Sequence, residues 1–284
     1  MENLLIDKAI SLGAEIHCSV SGGKDGQAMT KMLATNGYPI TSMIHCDLGR
    51  VEWPQSIDMC RKQAKEFTLP LHILKRKDGL DLLAYWYRRL LLLKDTGKPF
   101  WSSAKSRYCT SDLKRGPSNV FFTTCGNLVI SAEGIRAQES KARAKKQPLS
   151  IRGSKTSEFY KRMTVAEALR NYRPDKRLTI NWYPVFDYSI DQVWATYGMT
   201  SADLMFARAF YQQNGLVPDW WPFHPAYVFG NERVSCMFCV LACIGDLQCG
   251  AKHNPELLGQ MIEMEDEGKA TFKSGWSLRN LLTE

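Results

Sequence analysis

The chain has 284 residues, 44% apolar and 23% charged, a balance that supplies a buried core and excludes disordered or collagen-like chains. Lys and Arg number 37 against 29 Asp and Glu, and the net charge of +8 favours anionic partners such as nucleotides or a nucleic-acid backbone. No stretch reaches the ~20 apolar residues of a spanning helix, and the chain does not open on a secretory signal, so a cytoplasmic protein without membrane association is expected.

Residues 14–20 (AEIHCSV) read as a buried strand, followed by a glycine-rich turn and a helix over 26–35. A second strand is expected over 40–46, a helix over 55–67, a short strand over 71–74 and a helix over 80–94. Residues 128–132 (LVISA) are another strand. Strands alternating with helices of this length imply an α/β fold, a doubly wound parallel sheet covered on both faces. Past residue 141 a basic, Ser-rich segment leads to a strand over 178–182. Ser189 and Gln192 have capping-box spacing ahead of a helix. Residues 220–227 form an aromatic, proline-rich loop, and a last helix covers 255–267. The expected organisation is a nucleotide-binding α/β domain over 1–140, with a basic and cysteine-rich region over 141–284 completing the same site.

The sharpest local signal is the segment from Ser19 to Gly26, SVSGGKDG, placed between the first strand and the first helix. Parallel sheets present ligands at the carboxyl ends of their strands. Gly22, Gly23 and Gly26 let the backbone curl around an anion, and the free N–H groups of the following helix point at it. Ser21 adds a hydroxyl and Lys24 a positive charge. The pattern is neither the Walker sequence nor the dinucleotide fingerprint.

Nine cysteines without an export signal do not suggest disulfides. Cys18, Cys46, Cys60 and Cys125 read as small core hydrophobes. Cys236, Cys239, Cys243 and Cys249 crowd together, with Cys109 alone in a polar loop. Basic residues gather between Arg136 and Arg177, readable as a nucleic-acid guide or as a solvated face. His224 and His253 read as structural residues rather than ligands or bases. Trp220 and Trp221 read as core, with stacking on a base as the alternative.

Ser21-Gly-Gly-Lys-Asp25 resembles the pyrophosphate loop of N-type ATP pyrophosphatases, with Gly26 where that family usually has Ser. More of the chain resembles the phosphoadenosine phosphosulfate (PAPS) reductase-like branch. His45-Cys-Asp-Leu-Gly49 is similar to its second nucleotide segment. Ser131-Ala-Glu-Gly-Ile-Arg136 with Glu139-Ser140 looks like its Gly-x-Arg-x-x-Glu-Ser motif, and Tyr183-Pro-Val-Phe-Asp187 with Val193-Trp194 like its Pro and Val-Trp element.

The resemblance implies nucleotide contacts from Ser19, Ser21, Gly22, Gly23, Gly26, Asp47, Gly49, Gly134, Glu139 and Ser140. Lys24 and Arg136 would stabilise charge, and Asp25 and Asp47 would position metal or nucleotide. It also implies a [4Fe–4S] cluster on Cys109, Cys236 and Cys239, with Cys243, Cys249 or no residue as fourth ligand. Structural zinc on Cys236, Cys239, Cys243 and Cys249 is the rival reading.

Two activities fit the resemblance. One is ATP-dependent sulfur transfer, as in tRNA thiolation or DNA phosphorothioation, with ATP, Mg²⁺ and the cluster as cofactors. A nucleic acid and a cysteine desulfurase or sulfur carrier would be its partners, and a homodimer would be compatible with it. The other is reductive cleavage of PAPS or APS, disfavoured by the intact phosphate loop and the lack of a cysteine after Cys249. A non-catalytic nucleotide-binding scaffold is a third reading.

Overall fold

The apolar runs form one six-stranded sheet in the computed structural model, which describes residues 2–282. The strands β1 (Glu15–Val20), β2 (Ile40–Cys46), β3 (Leu71–Leu74), β4 (Leu128–Glu133), β5 (Leu149–Ile151) and β6 (Leu178–Trp182) lie in the order β3-β2-β1-β4-β6-β5. β1 pairs in parallel with β2 and β4, and β4 with β6, while β5 runs antiparallel to β6. The fold is therefore α/β with a mostly parallel sheet. From β1 the chain moves outward to β2 and β3, then returns to β4 and builds the other side. Such a reversal opens a crevice at the carboxyl ends of the two central strands, the place where this architecture binds ligands.

Two compact units interleave along the chain. The first comprises residues 1–45, 57–74 and 118–204, and the second residues 46–56, 75–117 and 205–284. In the first, Ile16, Cys18, Leu128, Ile130 and Ala132 of the central strands pack with Met29, Leu33 and Tyr160 into one core. Central parallel strands are apolar on both faces because helices cover both. In the second, Trp86, Trp101 and Phe272 pack edge to face, with centroids 5.2 and 5.3 Å apart. The helix Leu82–Leu93 contributes Trp86 and is capped by Asp81, whose carboxylate accepts from the Ala84 N–H at 2.8 Å.

Helix α2 (Lys24–Thr35) begins two residues ahead of expectation, because Gly23 takes the extended N-cap conformation. The capping box of Ser189 and Gln192 is present, and the last long helix runs Pro255–Gly268. The helix Ser201–Asn214 was not expected. It buries only Ala207 fully and leaves Met205 and Phe206 largely exposed, so it carries no single apolar stripe for spacing to reveal. Among the described residues no helix is long and apolar enough to cross a membrane.

Candidate nucleotide site and cysteine centre

The loop leaving β1 is shaped by its glycines. Gly22 has φ +73°, a left-handed conformation that favours glycine. Gly23 is the N-cap of α2 and has no side chain to offer its first-turn N–H groups. A twelve-residue helix thus directs its first-turn N–H groups and its positive dipole end at the mouth of the loop. Ser21 is exposed there, while Ser19 is half-buried within β1 between Ile44 and Glu133.

Two cations flank the first turn, each only 5% exposed. Lys24 Nζ lies 3.7 Å from an Asp25 carboxylate oxygen and 5.7 Å from the centroid of the Trp194 ring. Arg136 donates from Nε to the other Asp25 oxygen at 2.5 Å and from Nη1 to the Tyr188 carbonyl at 3.2 Å. Asp25 therefore holds the two cations in place. Removed from water, such charges act on an anion more strongly than surface charges do.

The loop after β4 is locked to the phosphate loop. A Cβ on Gly134 would stand 2.6 Å from the Asp25 carbonyl carbon and oxygen and from the Gly26 nitrogen, so only glycine permits this approach. Glu139 accepts from the Arg136 N–H at 3.1 Å and pairs with Arg143, and Ser140 caps the short helix Lys141–Ala144. These two residues shape the turn that carries Arg136. The Ala137 N–H donates to the Phe186 carbonyl at 2.8 Å, tying that turn to the Pro184 segment. Three of the sequence motifs thus converge within the first unit: the phosphate loop, the Gly134–Arg136 loop and the Pro184 segment with Trp194.

In the second unit, Asp47 accepts from the Gly49 N–H at 2.7 Å and pairs with Lys75 at 3.2 Å. Gly49 has φ +72°, and a Cβ there would meet Asp81 Cβ at 2.3 Å. Asp81 also receives Arg50 Nε at 2.6 Å. Asp47, Gly49, Arg50, Lys75 and Asp81 line a cleft of about 330 Å³. Sequence reasoning singled out Asp47 and Gly49 but not Arg50, Lys75 or Asp81, whose convergence depends on the fold.

The second unit also gathers cysteines from three distant segments. Cys109 sits on one helical turn, Tyr108–Thr110, that passes into a π-helical stretch, Ser111–Arg115, a form found often at functional sites. Cys236 forms an antiparallel bridge with Glu52, and Met237 N–H donates to the Val51 carbonyl at 2.9 Å. Burial pushes the Cys236 thiol well above its ordinary pKa. Lys114 opposes that shift, while Cys239, Glu52 and Cys109 reinforce it. Burial would lower the pKa of Lys114, but Cys236, Glu52, Cys239 and Cys46 around it outweigh that and raise it. Cys46 Sγ donates to the Lys114 carbonyl at 3.4 Å.

Cys243 and Cys249 have other surroundings. Cys243 is exposed and caps the helix Ile244–His253, its sulfur accepting from the Asp246 N–H at 3.4 Å. Cys249 is buried, its thiol donating to the Phe229 carbonyl at 3.4 Å, and burial lifts its pKa to about 11. Thiolates around one zinc stand about 3.8 Å apart, given a Zn–S bond of about 2.3 Å. Among the described residues no three cysteines bring their sulfurs within 4.8 Å of one another. A cubane spaces its thiolates more widely, and Cys109, Cys236 and Cys239 beside half-buried Lys114 suit its soft irons and net negative charge. The donor set therefore fits a [4Fe–4S] cluster better than a single zinc.

His224 is fully buried, caps the helix Pro225–Phe229 and meets Ser56 Oγ at 3.3 Å. His253 stacks on Phe229 at 4.3 Å. Trp221 is buried, whereas Trp220 is 43% exposed. Part of the basic segment is structural. Buried Arg152 reaches Asn119, Asn181 and Glu133, and Arg177 donates to the Phe122 and Cys125 carbonyls. Lys141, Lys145, Lys155, Arg162 and Arg170 are exposed.

A solved structure of phosphoadenylyl-sulfate (PAPS) reductase from Candida auris, a phosphate complex, is similar at 17% identity and a TM-score of 0.45, over 82% of this chain and 86% of that one. No curated protein matches. The family model of the phosphoadenosine phosphosulfate reductase domain matches residues 15–205. That span opens at the first residue of β1, takes in the phosphate loop, Cys109, Arg136 and Trp194, and stops short of Cys236 and Cys239. By this match the chain belongs to the phosphoadenosine phosphosulfate reductase domain family, whose enzymes bind nucleotides.

Proposed function

We propose that the chain is an ATP pyrophosphatase that activates an acceptor oxygen as an adenylate ahead of sulfur transfer to a nucleic acid. The observation that carries this reading is the glycine-capped start of α2, with buried Lys24 and Arg136 held on either side of Asp25. The acceptor oxygen attacks the α-phosphorus, the bond to the bridging oxygen breaks, and pyrophosphate leaves with the negative charge that develops. Pre-placed donors facing that charge lower the barrier, each typically by 10²- to 10³-fold in rate. Mg²⁺ on the phosphate oxygens would share the task.

Cys109, Cys236 and Cys239 would hold a [4Fe–4S] cluster, which when bound supplies the iron and sulfide chemistry of sulfur transfer. A cysteine desulfurase or sulfur carrier would provide the sulfur. Exposed Lys141, Lys145, Lys155, Arg162 and Arg170 offer a nucleic-acid backbone its counter-charges. Family membership supports a second reading, reductive cleavage of a sulfonucleotide.

Anaerobically purified protein, supplied in parallel with ATP and Mg²⁺ or with PAPS and a dithiol reductant, separates the readings. AMP and pyrophosphate are expected from ATP. Lys24→Ala should lower that rate by about 10²- to 10³-fold. Its melting temperature should barely move, because Asp25 keeps Arg136. Sulfite from PAPS without ATP cleavage installs the reductive reading. ATP that binds but stays intact, even with nucleic acid and a desulfurase present, leaves a scaffold.

A further inference from the structure

A second group of ligating side chains lies in the first unit, at the amino-terminal end of the strands, whereas the phosphate loop follows their carboxyl end. Glu15 opens β1, His17 follows two residues later on the same face, and Cys125 comes from the turn before β4. Among the described residues this is the trio whose ligand atoms, a carboxylate oxygen, an imidazole nitrogen and a thiol sulfur, all lie within 4.8 Å of one another.

Each member is oriented by a neighbour. His17 Nδ1 is 2.8 Å from Ser42 Oγ, which leaves Nε2 facing a Glu15 carboxylate oxygen at 3.2 Å. The other Glu15 oxygen accepts from the Gly126 N–H at 2.8 Å, and a Cβ on Gly126 would press on it at 2.7 Å. Cys125 Sγ lies 3.5 Å from the Phe121 carbonyl. Phe121 stands edge-on to the His17 ring at 5.2 Å and walls the site with apolar surface. His17 is 2% exposed, so its ring is fixed within the fold.

We propose that Glu15, His17 and Cys125 bind one zinc-class divalent ion, with water completing a tetrahedral site. One oxygen, one imidazole nitrogen and one sulfur is a donor set that zinc accepts at three positions while keeping a fourth for water. Without metal, His17 Nε2–H donates to Glu15, and Nδ1 accepts from the Ser42 hydroxyl. With metal, Nε2 becomes a ligand and the ring proton moves to Nδ1, where it donates to Ser42 Oγ. A metal-bound histidine almost always makes such an outer hydrogen bond. Cys125 releases its thiol proton, so one proton leaves per ion bound.

The test counts zinc per chain on the full-length protein, stripped with chelator and reloaded anaerobically, and follows cobalt as the spectroscopic probe. Cys125→Ser should bind one equivalent fewer than the parent and lose one set of thiolate-to-cobalt charge-transfer bands. Ser42→Ala, which spares all three ligands, should weaken that equivalent about 10- to 100-fold. Circular dichroism confirms that both variants fold. Equal metal counts in the parent and Cys125→Ser, or a Ser42→Ala affinity equal to that of the parent, would overturn the assignment.

Discussion

The phosphate loop and the cysteine centre are built by opposite means. The loop is made of backbone: Gly22 and Gly23 curl between β1 and α2, and one charged partner, Arg136, arrives from the end of the next central strand of the same sheet. The cysteine centre is made of side chains, carried by the turn after β2, the helical turn at Cys109 with its π-helical continuation and the Cys236 bridge, segments spread along the chain from Cys46 to Cys239. A backbone site announces itself in a short run of sequence, since glycine spacing and strand-to-helix order are both local. A side-chain site does not, because its charge balance exists only after folding.

Removing a side chain should therefore be felt most in the second unit. Under the cluster proposal, Cys109→Ser is expected to lose most of the iron carried by anaerobically purified protein, together with its visible absorption, because Cys46, a further cysteine beside Lys114, is engaged with the Lys114 carbonyl. Cys243 is committed to a helix cap and Cys249 to the core. Iron content and spectrum equal to those of the parent would remove Cys109 from the centre.

The next effect is a pH dependence. Burial lowers the His224 pKa from 6.5 to about 3. Between those values the unfolded chain binds the proton and the folded chain does not. The contribution of neutral His224 is thus fully present above pH 6.5 and lost as the pH falls towards 3, amounting to about 3 kcal/mol between pH 6.5 and pH 4. Urea unfolding over that range should show it. His224→Asn keeps a capping acceptor for the Ala226 N–H and should flatten the acid limb. Parallel limbs in the two proteins would contradict the assignment.

The same contrast explains what the sequence makes legible. Both central strands, the loop between β1 and α2 and the Ser189 capping box follow from apolar runs and turn chemistry over a few residues. The three-residue β5 is hidden in a basic segment, because an antiparallel edge strand with half-buried residues has no continuous apolar run. Arg152 looks like nucleic-acid charge in sequence, yet it is buried against Glu133 and Asn181. Cys125 reads as a core residue because nothing near it in sequence announces Glu15 and His17, 110 and 108 positions earlier. Motif spacing places Gly134 near the phosphate site, but that its α-carbon lies against Asp25 is a property of two strands side by side.

Two glycines of the first unit sharpen the comparison at the small end of the scale. Gly134→Ala forces a methyl group to within 2.6 Å of the Asp25 and Gly26 backbone, which cannot yield without displacing the start of α2. A cost of about 1–3 kcal/mol is expected, together with weakened ATP binding. At Gly26 the corresponding position meets Val20 Cα at 3.7 Å, an ordinary contact, so Gly26→Ser is accommodated. Serine is the better helix former inside α2 by about 0.5 kcal/mol, and thermal unfolding should register that small gain. If both substitutions cost the same, the loop is not fixed by its contact with Gly134, and the backbone account of the phosphate site fails. If only Gly134→Ala weakens ATP binding while Gly26→Ser holds or strengthens it, the added hydroxyl lies on the nucleotide side of the first turn of α2.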